Sequence, residues 1–128
     1  MPKISSQTAS QTHEAPGYEG HFEDLGGYTV AFESYSEDAD LSPFFAGLPD
    51  DRCQCPHWGV VLKGKVTYHY GDRSETIEAG EAYFAPPGHT PEIHAGTELV
   101  EFSPTAELER TLEVVMRNVE SMSEEAAQ

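Results

Sequence analysis

Basic residues are scarce in this chain: 7 Lys and Arg stand against 23 Asp and Glu, a formal net charge of −16. Such a surface repels nucleic acid and anionic membranes instead of steering them in, which excludes both as partners. Long apolar runs are also missing. No stretch approaches the roughly 18 consecutive apolar residues of a membrane-crossing helix, and the first twenty residues lack the basic-then-apolar order of a signal peptide. The expected compartment is the cytoplasm. A carboxylate pair at glycosidase spacing, a serine nucleophile elbow and a phosphate-cradling glycine loop are absent too.

Cysteine is limited to Cys53 and Cys55. On an extended strand their Cα atoms would lie roughly 6–7 Å apart, closing a loop too short for good disulfide geometry. Free thiols or metal ligands remain as readings, and both suit a reducing compartment.

The 128 residues suffice for one domain, and 38% hydrophobic content builds a modest core without staples. Residues 1–19 are polar and aperiodic, so a disordered N-terminal arm is expected there, with the fold beginning at Gly20. From Tyr28 the side chains alternate, Tyr28, Val30 and Phe32 against Thr29, Ala31 and Glu33. This is the two-residue period of a half-buried strand. Residues 34–50 break the period with Pro43, Gly47 and Pro49 and form a long loop carrying an apolar plug of Phe44, Phe45 and Leu48.

Between Arg52 and Phe102 short strands are punctuated by turn signals at Lys63-Gly64, Gly71-Asp72, Ala79-Gly80, Pro86-Pro87-Gly88 and Ala95-Gly96. That spacing indicates an all-β sandwich or barrel. After it, Ser103 is a natural N-cap and Pro104 suits the first helical position. Leu108, Leu112, Val115, Val119 and Met122 then recur at helical spacing, which predicts an amphipathic helix over 104–120 and a fraying tail over 121–128.

Asp51–Gly64 and Gly80–Pro91 resemble the two sequence motifs of the cupin superfamily. In DRCQCPHWGVVLKG, counting back from Gly64 puts His57 at the family's Glu and Cys53 and Asp51 at its two His positions. GEAYFAPPGHTP matches from Gly80 through Pro86 and Gly88, but Pro91 stands at the expected His and a histidine, His89, stands two residues earlier. The resemblance implies a double-stranded β-helix barrel over 20–103 with one C-terminal helix. It also implies an altered metal site. In a regular strand Asp51, Cys53, Cys55 and His57 share one face, and His89 shares parity with Pro91. Cys53, His57 and His89 are the expected ligands; Cys55 and Asp51 are further candidates, and His94, of opposite parity, is held in reserve.

Each candidate has a plainer alternative. Buried thiols pack as small hydrophobes. Asp51 can cap the turn after Pro49-Asp50, and His89 can face solvent beyond its Pro-Gly turn. His69 should face outward, and His13 and His21 should be solvated. The donor types suit one divalent ion, zinc first, with iron, nickel or copper also compatible. Trp58, Tyr68, Tyr70 and Tyr83 are expected to line a pocket for a small molecule, although core packing explains most such aromatics in a small barrel. The resemblance implies either a metal-dependent dioxygenase, decarboxylase or isomerase of small organic molecules, or a non-catalytic sensor or carrier with structural zinc or no metal. Four converging ligands would favour the structural site, three the open one. The helical stripe further predicts a homodimer.

Overall fold

A computed structural model of the protein describes residues 2–127. Two antiparallel sheets face one another. The larger has the order β1 (Gln11–Ala15), β2 (Tyr18–Leu25), β3 (Tyr28–Tyr35), β10 (Thr97–Pro104), β5 (His57–Lys63), β8 (Ala82–Ala85). The smaller has the order β4 (Ala39–Asp40), β9 (Thr90–Ile93), β6 (Lys65–His69), β7 (Ser74–Glu78). Tyr35, Val61, Leu99 and Ala85 from the first sheet and Val66, Tyr68 and Ile93 from the second form one buried core between them. A helix, α1 (Thr105–Ala127), follows β10 directly.

The sheet starts earlier than Gly20. Gln11–Ala15 pairs with Tyr18–Phe22 through a turn in which Gly17 takes a positive φ of 77°, so the expected disordered arm contains a strand. Every β1 residue is exposed, so neither face is apolar and the two-residue period that reveals a strand has nothing to mark it. At the other end α1 continues past residue 120 to Ala127, because the run from Ser121 to Ala127 contains no glycine or proline to stop it. Met1 and Gln128, the outer ends of the expected arm and tail, lie outside the described residues.

One further expectation is corrected. Strand β10 runs through Pro104, and the buried Ser103 does not cap the helix; its hydroxyl lies 2.7 Å from His57 Nδ1. The alternation in β3 is real, but its inner face is the less apolar one. Thr29, Ala31, Glu33 and Tyr35 face the barrel interior, in line with Glu101, which pairs with Ala31. Tyr28 and Phe32 lie on the outer face, where Tyr28 is 41% exposed.

The segment between β3 and β5 closes one end of the barrel. It carries two short 3₁₀ turns, Ser42–Phe45 and Pro49–Asp51. As expected for the plug, Phe45 is buried, packed with Leu41, Leu48, Cys53 and Cys55 against Leu108 and Val115 of α1. The Asn118 amide ties helix to loop, donating to the carbonyls of Phe44 at 2.7 Å and Ala46 at 2.9 Å. The helix therefore buries Thr111 and half-buries Leu108 and Val115, whereas Leu112, expected in the stripe, is 37% exposed.

Candidate metal centre

The cap delivers Cys53 to the barrel end, and the Pro86-Pro87-Gly88 turn delivers His89. Gly88 has a φ of 97°, a backbone state that costs glycine little and other residues much. This turn lets Gly88 N–H donate to the Cys53 carbonyl at 2.8 Å, and it sets His89 opposite Cys53 in an isolated antiparallel bridge. His57, the first residue of β5, points inward beside them. Cys53 Sγ and one ring nitrogen from each of His57 and His89 all lie within 4.8 Å of one another, and all three residues are buried. Cys53 Sγ is 3.6 Å from His57 Nε2.

The hydrogen bonds set the ring orientations. His89 Nδ1 lies 2.7 Å from the Pro86 carbonyl, which can only accept, so Nδ1 carries the proton and Nε2 is left with a lone pair. That Nε2 is buried and has no hydrogen-bond partner among the described residues. An unpaired buried acceptor costs about 1–3 kcal/mol. Burial, with His57 nearby, lowers the His89 pKa to about 4, so the imidazole is neutral near pH 7. On His57, Nδ1 is engaged by Ser103, which turns Nε2 toward Cys53. Burial pushes the Cys53 thiol up to about 12 in the absence of a cation. Two imidazoles with their Nδ1 atoms anchored, and one buried thiol, form a donor set that fits a metal ion; such anchoring of the second ring nitrogen is the usual accompaniment of histidine ligation.

The other candidates do not join them. Cys55 is buried but turned aside, with Sγ 3.5 Å from the Pro56 carbonyl. The expected common face fails because regular β5 begins only at His57, and parity does not pass through the irregular residues before it. Asp51 is exposed and accepts a hydrogen bond from the Gly47 N–H at 2.9 Å, the turn-capping role. His94 is half-buried and lines a shallow surface depression with Asp38, Asp40 and Glu92. His69 faces outward, bonded to Ser74 and Glu92.

The aromatic set divides. Trp58 is 41% exposed on the outer face, stacked on Phe84 with ring centres 5.0 Å apart, so it lines no interior pocket. Tyr68 lies edge-on to His89 at 5.1 Å, and Tyr70 stands 6.2 Å from the same ring. Tyr68 and Tyr83 donate to one oxygen of Glu101, at 2.9 and 2.7 Å. The other Glu101 oxygen is 3.6 Å from His57 Nδ1. Gly59, between Glu101 and Tyr83 in the sheet, leaves room for this: a Cβ there would come within 2.6 Å of the Tyr83 hydroxyl. Deeper in the barrel Tyr18 donates to Glu33 at 2.6 Å. Burial, then repulsion from Glu101, raises the Glu33 pKa to about 7.

Glu33, Glu101 and Ser103 were not among the expected site residues; Ser103 was expected to cap the helix. The available signal was parity: in TELVEFSP, Glu101 and Ser103 alternate with Val100 and Phe102, and a charged residue on one face of a central strand reports a polar interior once the inner face is known.

No protein-family model and no curated protein matches the chain. Solved structures do. A protein of unknown function from Rhizobium leguminosarum bv. viciae 3841 aligns with a TM-score of 0.57 at 18% identity, covering 80% of this chain and 94% of its own. The polyketide cyclase RemF from Streptomyces resistomycificus aligns at 0.55 and 13%, covering 81% and 79%. An RmlC-like cupin from Shewanella frigidimarina NCIMB 400 aligns at 0.53 and 12%, covering 81% and 92%. The chain therefore has the cupin fold, mostly β with two antiparallel sheets and one C-terminal helix, as the sequence motifs implied. At these identities the likeness establishes the fold alone.

Proposed function

We propose that this chain is a small metal-dependent cupin in which Cys53, His57 and His89 hold one divalent cation, zinc first, and leave a coordination position for a small organic substrate. The observation that carries the reading is the unpaired, buried Nε2 of His89, aimed at a thiol and a second imidazole. Three donors converge and Cys55 does not, which is the pattern of an open site instead of a closed structural one. A bound metal would supply Lewis-acid or redox chemistry. The protein residues hold it, keep the His57 and His89 rings oriented through Ser103 and Pro86, and place the Glu101 carboxylate, with its two tyrosine donors, behind His57. Dioxygenase, decarboxylase and isomerase assays are the reaction classes to begin with, following the cupin resemblance.

The test is chelation followed by loading with Co²⁺. A thiolate-to-cobalt absorption band that is lost in Cys53→Ala and shifts when a small exogenous donor is added supports an open centre. A band indifferent to added donors favours the non-catalytic carrier reading, and the absence of any band refutes metal binding.

The same proposal includes a homodimer. The outer face of the large sheet carries Phe102, Trp58 and Phe84 side by side on adjacent strands, each at least 40% exposed. In a chain of net charge −16 this uncharged row is where two like-charged copies can approach at least electrostatic cost.

A further inference from the structure

Resting on that reading of the site, we infer that Glu101 is a positioning residue that sets the charge of the metal centre and so selects a divalent over a monovalent ion. His57 and His89 are neutral ligands, and Cys53 as thiolate brings a single negative charge, so the three donors leave a divalent ion with one uncompensated positive charge. The three residues are 1–7% exposed, and a buried charge is costly unless paired. Glu101 is the carboxylate placed to pair it. Its Oε2 stands 3.6 Å from His57 Nδ1, and its side chain is only 13% exposed. It lies on the Nδ1 side, away from the nitrogen that faces Cys53, so it does not ligate.

Its orientation is fixed from behind. Oε1 accepts from the hydroxyls of Tyr68 and Tyr83, and the latter contact exists because residue 59 has no side chain. Oε2 is thereby turned toward His57, alongside the Ser103 hydroxyl. At 3.6 Å Oε2 is beyond hydrogen-bond range of Nδ1, which Ser103 occupies at 2.7 Å, so Glu101 acts on a dication by through-space attraction; one unit charge at roughly 6–10 Å and an effective dielectric of about 20 changes dication affinity by roughly 10–100-fold. For a monovalent soft ion the account reverses: the thiolate alone neutralises it, and Glu101 contributes nothing or a surplus negative charge. Ser103 offers the matching uncharged contact, holding the same nitrogen without altering the charge.

The experiment measures Zn²⁺ affinity by chelator competition and Cu⁺ affinity by competition with a chromophoric copper(I) chelator, under anaerobic conditions. It is run on the full chain, on Glu101→Gln and on Ser103→Ala. Glu101→Gln should weaken Zn²⁺ binding by about 10–100-fold and leave Cu⁺ binding within about threefold. Ser103→Ala should weaken both ions by the same factor. Glu101→Met combined with Tyr68→Phe and Tyr83→Phe removes the charge together with its two donors, should repeat the Gln result and stands in if the Gln protein does not fold. Equal losses for both ions in Glu101→Gln would reduce Glu101 to a structural role, and unchanged Zn²⁺ affinity would remove it from the site; either result overturns the inference. Failure of the unaltered protein to bind either ion would instead overturn the metal reading beneath it.

Discussion

Cys53 and His89 exchange a reciprocal pair of backbone hydrogen bonds, Cys53 N–H to the His89 carbonyl at 2.9 Å and His89 N–H to the Cys53 carbonyl at 3.3 Å. Residues directly opposite in an antiparallel bridge send their side chains to the same face, so this single bridge brings a thiol and an imidazole together from segments far apart in the chain. His57 completes the set from the first position of β5.

Removing any of the three donors should abolish tight metal binding. Cys53→Ala, His57→Ala and His89→Ala are each expected to lower Zn²⁺ affinity by more than the roughly 10–100-fold of an outer-partner loss. The barrel should remain folded, because its core of Val61, Val66, Ile93 and Leu99 contains none of the three donors. Cys55→Ala, Asp51→Ala and His94→Ala should retain full occupancy. Elemental analysis of the purified proteins, paired with far-UV circular dichroism, checks both halves.

Gly59 should tolerate no side chain. In Gly59→Ala the new Cβ would sit 2.6 Å from the Tyr83 hydroxyl and 2.7 Å from the Val100 carbonyl, and the second is backbone that cannot swing away. The expected cost is about 1–3 kcal/mol of overpacking. Urea denaturation measures it, and a variant as stable as the parent would contradict the close approach.

Glu33 should make the metal-free protein less stable as pH rises. Its pKa goes from an ordinary 4.5 to about 7 on folding, because burial and Glu101 disfavour its charge. Below 4.5 both states are protonated and the contribution is whole. Between 4.5 and about 7 the unfolded chain releases the proton first, so the contribution declines, and above about 7 it is gone. The loss should be on the order of 3 kcal/mol, given about 1.4 kcal/mol per pH unit of displacement. Glu33→Gln, which can still accept from Tyr18, should flatten this part of the profile; an unchanged slope in thermal melts from pH 4 to 8 would assign it elsewhere.

Trp58 should report on pairing of copies and not on the metal. Its ring is 41% exposed beside Phe84, so in the monomer its fluorescence should resemble that of a solvated indole. Trp58→Glu should shift sedimentation from dimer to monomer while Zn²⁺ affinity stays within about twofold, since the residue faces away from the site. A wild-type monomer at micromolar concentration would refute the dimer.

The sequence by itself determined the β-barrel and where its turns fall, because glycine and proline requirements are local: Gly64, Gly80, Gly88 and Gly96 all adopt the positive φ that their turns need. It also brought forward Cys53, His57 and His89, through motif spacing. Tertiary structure alone decided which neighbours join them. Parity holds only along a regular strand, and the irregular run before β5 turned Cys55 to the Pro56 carbonyl and left Asp51 to cap a turn. It also decided which face of β3 is the inside. The barrel encloses Glu33 and Glu101 and leaves Tyr28 and Phe32 outside, because tyrosine hydroxyls from β2, β6 and β8 are there to bond the carboxylates. Whether a buried carboxylate is tolerable depends on its partners, and partners brought in from three other strands become visible only once the sheets have closed.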